Sequence, residues 1–468
     1  MSTEPKHRPG LEKYVQESRK LLTQQEEIKT RIKSLKFDTI AVHGLYSVEE
    51  ALARNQGAVV EPLYLATSQG YRDSDELEAA QAYLIPGWAY TRIANPTTFY
   101  LEQVLALLEG YKTGQETSCA VTSSGMAAIM LAITPFLAKQ KKGPEKINFV
   151  SSIQVYGGTY QLFSVRIAQE RGLEVRWVQH PENLEEWETK IDENTRFLYV
   201  EAPSNPQQSF SDLKALVDLA HVWEIPLIID ATCATPALMR PISFGADIVV
   251  HSLTKSMTAS GLAIGGALIS RRPIVTKMKK VGPKFKENFA EYAKFWPGRD
   301  YGAALSPFNA LMTLNDLRTM RVRLDLVSQN CLQVAQFLEK HPRVGQVNYL
   351  GLSSHHLHAL AKKYLKLVDS NDGTGQETNR YGHLLSFRVD GPPENARKVL
   401  DRFRLIFRAT DLGRLKSLAT IPAISTHHQQ GEEARRMADI PPQLIRLCVG
   451  AENPGDIIED LNQALNSL

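Results

Sequence analysis

Residues 226–255 read PLIIDATCATPALMRPISFGADIVVHSLTK, and the reading of this stretch decides the fold. Two runs within it, PLIIDAT (226–232) and DIVVHS (247–252), are short, rich in branched aliphatic residues and polar only toward their ends. That pattern belongs to strands buried on both faces of a parallel sheet. Asp230 closes the first run, and Ser252, Thr254 and Lys255 close the second. In open α/β sheets ligands bind beyond the carboxyl ends of the strands, so an acid and an amine arrive at one edge. An acid that keeps a ring nitrogen protonated and an amine that condenses with an aldehyde are what a pyridinium cofactor needs. Taken alone, Asp230 equally suits a helix cap and Lys255 a solvated loop.

Working outward, the same alternation continues on both sides. Strands are expected at CAVTSS (119–124), INFVSS (147–152), LEVRWV (173–178) and TRFLYVEA (195–202), with GGALIS (265–270) as a further strand on the edge or antiparallel. Helices are expected at LEQVLALLEG (101–110) and SGMAAIMLAI (124–133). Short β-branched runs separated by helices describe a mainly parallel sheet with crossover helices, an α/β fold. Past Pro307 the pattern changes to one long helix over 309–341, then mixed strands and helices including HLLSFRV (383–389) and LIRLCVG (444–450), a smaller α+β domain. Residues 1–36 are rich in Lys, Glu and Gln. They carry Tyr14, Leu21, Ile28 and Leu35 at seven-residue steps, which reads as a helical arm with an incomplete heptad seam. The expected division is an arm and extended segment over 1–65, a cofactor domain over 66–306 and a C-terminal domain over 307–468.

Three further segments bear on chemistry. SSGMAAI (123–129) is a Ser/Gly turn opening an apolar helix, whose first N–H groups point at one place and suit a phosphate. The backbone of Gly125 and Met126, with the hydroxyls of Ser252 and Thr254, would form that cradle; a plain N-cap by Ser123 or Ser124 explains the turn as well. In YTRIANP (90–96), Tyr90 and Arg92 precede a proline-fixed turn, and Arg engages phosphate through a bidentate fork. In VYGGTY (155–160), Tyr156 follows a strand and offers an aromatic face to a ring, or simply a core tyrosine.

Composition narrows the class. The 468 residues are 43% hydrophobic and 22% charged, with 54 Lys and Arg against 51 Asp and Glu, a net charge of +3. So small a surplus predicts neither a nucleic-acid nor a membrane partner. The opening MSTEPKHRPG is polar, and the four cysteines (Cys119, Cys233, Cys331, Cys448) lie far apart without CxxC spacing, so reduced thiols in a cytoplasmic protein are expected. The histidine groups His355, His356, His358 and His427, His428 lie in polar loop sequence without partner ligands and read as solvated, so no metal is expected. The GLAIGG glycines (261–266) follow no first strand and read as close packing rather than a dinucleotide loop.

From FDTIAVHG (37–44) to LIRLCVGAENPGDIIEDLNQAL (444–465), these segments resemble, in order, the cysteine/methionine-metabolism (trans-sulfuration) family of pyridoxal-phosphate enzymes. The resemblance implies the type I fold of such enzymes, pyridoxal 5'-phosphate as cofactor, and γ-carbon chemistry on an amino acid. It makes Lys255 the cofactor-bearing lysine, Asp230 the partner of the ring nitrogen, and Gly125, Met126, Ser252 and Thr254 the phosphate cradle. Tyr156 becomes the stacking aromatic. Tyr90 and Arg92 become the pair donated to a neighbouring subunit, which implies a homodimer or homotetramer. Arg446 becomes the clamp for the substrate carboxylate, with Asn205 of EAPSNP and Ser417 beside it. Within the family, DYGAALSPFNALMTL (300–314), VNYLGLSSHHLHALAKKYL (347–365) and RLKSLAT (414–420) resemble O-acetylhomoserine sulfhydrylases, as does STHHQQ (425–430), whereas IPAIS (421–425) resembles cystathionine γ-lyases. Lys416 stands where many cystathionine γ-lyases carry glutamate, and Gly158 where methionine γ-lyases carry cysteine. The resemblance therefore implies γ-replacement on O-acetylhomoserine or a related O-acylhomoserine, with sulfide or a thiol, giving homocysteine or methionine. The alternative is a γ-lyase yielding 2-oxobutanoate and ammonia. One departure bears on that choice: SMTASGLAIGG (256–266) replaces the Gly-Gly-His-Gly loop of the sulfhydrylases.

Overall fold

The computed structural model describes residues 8–138, 146–279, 281–371 and 373–468. Its first sheet has seven strands: β1 (Glu116–Thr122), β2 (Asn148–Ser152), β3 (Glu174–Val178), β4 (Thr195–Glu201), β5 (Leu227–Asp230), β6 (Ile248–Ser252) and β7 (Gly266–Arg272). They lie in the order β1-β7-β6-β5-β4-β2-β3. Neighbours are parallel except at β7, which runs antiparallel to both β6 and β1. The GGALIS strand is thus antiparallel but interior, because β1 pairs along its outer side from Glu116↔Arg272 to Thr122↔Gly266. Every residue of β4 and β5 is buried, as strands covered on both faces must be.

A helical arm, α1 (Pro9–Lys33), and a short helix, α2 (Ser74–Gln81), precede the sheet. Leu11 and Tyr14 of α1 pack against Ala79 of α2, and Ile32 joins the main core, while Leu21 and Leu35 are exposed. The seven-residue row is therefore not one seam: its first member meets α2, and two of the others face outward. Next comes α3 (Pro96–Glu109), opened by Pro96 and by the Asn95 side chain accepting the Thr97 N–H, and it packs on β1 and β7. The following α4 (Gly125–Ile133) packs on β6 and β7 from the other face.

The second part begins with α5 (Pro307–Leu317) and α6 (Met320–Glu339), where one continuous helix was expected. The break is local. Thr319 takes a non-helical φ of −115°, and the Asp316 carbonyl accepts the Thr319 N–H at 3.4 Å and the Arg323 guanidinium at 2.6 Å. Beyond lie β8 (Val344–Asn348), β9 (Leu384–Val389), β10 (Phe407–Arg408), β11 (Leu418–Thr420) and β12 (Leu444–Cys448), ordered β10-β11-β12-β9-β8, with α7 (Pro454–Leu465) closing the chain. The core of the first sheet runs on through Ala310, Leu314 and Leu317 of α5, Met320 and Leu324 of α6, and Leu365 to Val368, so apolar packing crosses the expected division at 306/307. All four cysteines are free thiols, three of them buried.

The ends of β1, β6 and the start of β7 meet at one place. A Cβ on Gly266 would lie 2.1 Å from the Ser124 carbonyl oxygen, so only glycine lets β7 begin against the turn that opens α4. Gly266→Ala is expected to displace that turn and cost about 1–3 kcal/mol, the usual range for forcing atoms into close-packed space. Chemical denaturation, read as a lower midpoint with an unchanged slope, checks it.

Candidate active site

The carboxyl ends of β4, β5 and β6 open on one cavity of about 460 Å³, inside the roughly 300–1,000 Å³ range of small-molecule sites. Its wall includes Gly125, Met126, Tyr156, Asn205, Asp230, Ser252, Thr254, Lys255 and Arg446. Nine of the residues singled out from the sequence, scattered over more than three hundred positions, are thus brought together. The reason is topological: β4, β5 and β6 are adjacent and parallel, so the last residues of each face the same edge.

Asp230 is held by Thr232. Its Oδ1 accepts the Thr232 hydroxyl at 2.6 Å and the Thr232 N–H at 3.1 Å, and the Thr232 hydroxyl in turn accepts the Ser252 N–H at 2.8 Å. Among the described residues the other oxygen meets only the Tyr199 hydroxyl, at 3.4 Å. Burial pushes the Asp230 carboxyl up against the two Thr232 hydrogen bonds. Beside it, Glu201 accepts the Tyr156 N–H at 2.6 Å and the Asn205 N–H at 2.8 Å. Burial, and then the charge of Asp230, push Glu201 well above the ordinary carboxylate range. Two buried carboxyls this close favour a cation opposite them.

At the other end, Ser124 caps α4 by accepting the Ala127 N–H at 3.2 Å, so the first two N–H groups, on Gly125 and Met126, are the ones left to a ligand. A Cβ on Gly125 would meet the Ser252 Cβ at 2.8 Å and fill the cradle. The Thr254 hydroxyl donates to the Gly265 carbonyl at 3.2 Å and accepts the Gly265 N–H at 3.1 Å, pinning the loop that follows Lys255. That loop, 256–264, is further tied by Arg323 to the Ser256 carbonyl at 3.1 Å, by the Ser260 N–H to Asp316 at 2.9 Å and by Arg414 to the Thr258 carbonyl at 2.7 Å. The Lys255 Nζ donates to Asp411 at 2.7 Å.

Arg446 is fully buried. One terminal nitrogen donates to the Thr410 and Asp411 carbonyls at 2.9 and 2.8 Å, the other to the Asn205 side-chain oxygen at 3.3 Å, and its Nε has no partner among the described residues. Burial pulls its guanidinium below the ordinary arginine range, a cost that an incoming anion would offset. Burial and then the Arg446 charge likewise pull His427 down to about 4.

Three expected residues lie elsewhere. Ser417 is buried and outside the cavity lining, donating to Glu452 at 3.0 Å and accepting the Gly450 N–H at 2.9 Å, which ties it to the turn after β12. In the single chain Tyr90 is 45% exposed and Arg92 donates to the Arg299 carbonyl, lining a separate small cavity with Glu102 and Lys294. Among the described residues, no three His, Cys, Asp or Glu side chains gather as metal ligands would. No described helix is long and apolar enough to cross a membrane.

Among the wall residues that the sequence reading did not assign to the site are Glu201, Thr232, Asp411 and Arg414. Glu201 ends the run TRFLYVE, so the strand-end reasoning applied to Asp230 reaches it too. Thr232 lies two residues beyond Asp230. Asp411 and Arg414 sit in an irregular stretch between β10 and β11, where no periodicity marks them.

The site fits pyridoxal phosphate: an N–H cradle at a helix start, a buried carboxyl, a lysine and an under-partnered arginine share one cavity. Comparison with known proteins agrees. The model of the Cys/Met metabolism PLP-dependent enzyme family matches residues 38–466. The homocysteine synthase of Schizosaccharomyces pombe is 35% identical, over 93% of this chain and 99% of that protein. The L-methionine gamma-lyase of Porphyromonas gingivalis is 33% identical, over 92% of this chain and 97% of its own length. Among solved structures, a Campylobacter jejuni protein described as an O-acetylhomoserine (thiol)-lyase superposes with a TM-score of 0.79 at 32% identity, covering 92% of this chain and 100% of that one. It carries a pyridoxyl-lysine monophosphate adduct.

Glu201 offers a direct check on the wall. Glu201→Gln leaves one acceptor for two N–H groups and turns an amide NH2 toward the other. A loss of about 1–3 kcal/mol is expected, the cost of a buried donor left unmet. A lower melting temperature in both cofactor-free and cofactor-loaded protein would register it.

Proposed function

This chain belongs to the Cys/Met-metabolism family of pyridoxal-phosphate-dependent enzymes, and from that premise we propose that it catalyses γ-replacement on O-acetylhomoserine or a related O-acylhomoserine. Sulfide or a thiol is the incoming group, and homocysteine or methionine the product. The observation that carries this reading is the convergence of Lys255, Asp230, the start of α4 and Arg446 on one cavity.

Pyridoxal phosphate, when bound, supplies an electron sink that weakens the C–H bonds of the attached amino acid. Gly125, Met126, Ser252 and Thr254 would hold its phosphate, Asp230 would keep a proton on its ring nitrogen, and Tyr156 would cover its face. Lys255 would hold it and also take and return protons at Cα and Cβ, the role of a mobile amine at a general acid–base site. Arg446, with two nitrogens already fixed, turns its remaining donors to the substrate carboxylate and sets the orientation of the reacting carbon.

One feature supports replacement over a methionine-type lyase. A Cβ on Gly158 would lie 2.5 Å from the Tyr156 ring and 3.2 Å from the Met126 sulfur, so the cysteine of methionine γ-lyases would displace the ring. The cradle also bears on assembly. Its donors are amides and hydroxyls without positive charge, so a dianionic phosphate is balanced if a second copy supplies Arg92, which lies against the exposed Tyr90 ring. We take the enzyme to be a cytoplasmic homodimer or homotetramer with Tyr90 and Arg92 crossing the interface.

The test supplies O-acetylhomoserine with and without sulfide. Homocysteine appearing only with sulfide supports the proposal; 2-oxobutanoate without homocysteine makes the enzyme a γ-lyase. Borohydride reduction of the yellow holoenzyme should fix the label on Lys255. Arg446→Lys, which keeps the charge but loses the fork, is expected to raise KM about tenfold or more while the cofactor spectrum stays unchanged.

A further inference from the structure

Asp411 stands at a junction that the proposed chemistry does not yet use. Its Oδ1 accepts the Lys255 Nζ at 2.7 Å, its Oδ2 accepts the Arg414 Nε at 2.5 Å, and its main-chain carbonyl accepts Arg446 at 2.8 Å. Its own following N–H, on Leu412, closes on Oδ1 at 2.9 Å, which fixes the carboxylate's rotamer. Arg414 reaches on to the Thr258 carbonyl, in the loop where SMTASGLAIGG departs from the sulfhydrylase pattern. A Cβ on Gly261 of that loop would touch the same guanidinium at 3.6 Å. One residue of the irregular β10–β11 stretch therefore grips the lysine, the carboxylate clamp and, through Arg414, the altered loop.

We propose that Asp411 is a positioning residue, whose carboxylate stabilises the positive charge of the lysine–cofactor link and whose main-chain carbonyl sets Arg446 at a constant distance from that link. The proposal rests on Lys255 carrying the cofactor. Opposite charges this close favour the charged form by about one to three pH units, and a competing guanidinium reduces the effect. Burial pushes the Asp411 carboxyl up, but the Lys255 charge and hydrogen bond, with the Leu412 N–H and Arg414, bring it below the ordinary range, so the group stays ionised near neutrality. The other titratable or charged groups on this wall are Glu201, Asp230, Tyr156, Cys233, His251, Arg414 and Arg446. Of these, Arg414 hydrogen-bonds the Asp411 carboxylate, and Arg446 reaches its main-chain carbonyl. Lys416, also in this stretch, lies over the Phe407 ring at 4.9 Å from its centroid.

The experiment titrates the visible band of the cofactor-loaded enzyme with pH, since that band reports the charge on the link. In Asp411→Asn the midpoint should fall by about one to three units, and Asp411→Glu should restore part of it. In Arg414→Gln the midpoint should rise, because a competing cation is gone. Opposite signs from adjacent residues are not what loosened packing would produce. Melting temperature and borohydride fixation are read on every variant. If cofactor-loaded Asp411→Asn titrates like the parent, the proposal is overturned. If that variant fails to fold or load, Arg414→Gln decides: an upward shift supports the proposal and no shift rejects it. Failure of borohydride to fix the label on Lys255 in the parent would sink the functional reading instead.

Discussion

The relay from the Ser252 N–H through the Thr232 hydroxyl to the Asp230 carboxylate joins the ends of β5 and β6, and the site depends on it. It fixes which way a buried carboxylate points and how far it stands from the turn that carries Lys255. Charge burial is tolerated here only because each group has a designated partner. Thr232 satisfies one oxygen of Asp230, two N–H groups satisfy Glu201, and three acceptors hold Arg446. The weakly bonded oxygen of Asp230, met by the Tyr199 hydroxyl at 3.4 Å, and the Arg446 Nε, unmet among the described residues, mark where a cation and an anion would gain most.

The second sheet delivers its share across the cavity mouth. Arg446 on β12 and Asp411 before β11 come from a sheet whose strands pair mostly antiparallel, yet both reach the ends of the parallel strands. Continuous apolar packing through α5, α6 and the first sheet holds the two parts in one register. Polar ties from Asp316, Arg323 and Arg414 then fasten the loop after Lys255. Gly261 of this loop takes a left-handed φ of +82°, and hydrogen bonds from neighbouring elements hold the residues before it.

Ser417 shows how a motif fixes a position along the chain and leaves its partners open. It lies in RLKSLAT, within reach of the site along the chain, but Glu452 claims its N–H and hydroxyl. The helix break at Arg318–Thr319 is a similar case. The apolar period continues through it, while the Asp316 carbonyl is met by the guanidinium of Arg323, seven residues on. The arm's seven-residue row fails for a related reason. Its register is right for a helix, but α2 and the main core meet different parts of it.

By itself the amino-acid order determined the parallel sheet, because strands buried on both faces leave an unbroken apolar run that ends in polar residues at one edge. It likewise determined that Asp230, Lys255 and the Ser/Gly turn before α4 would share that edge, since parallel strands end on the same side. Tertiary structure alone decided what reaches the edge from outside the sheet. Asp411 and Arg414 lie in irregular backbone with no period to reveal them, and their partners are some 150 residues distant in sequence. Local patterns record which face a side chain takes on its own element; they carry no information about which distant charge will face it.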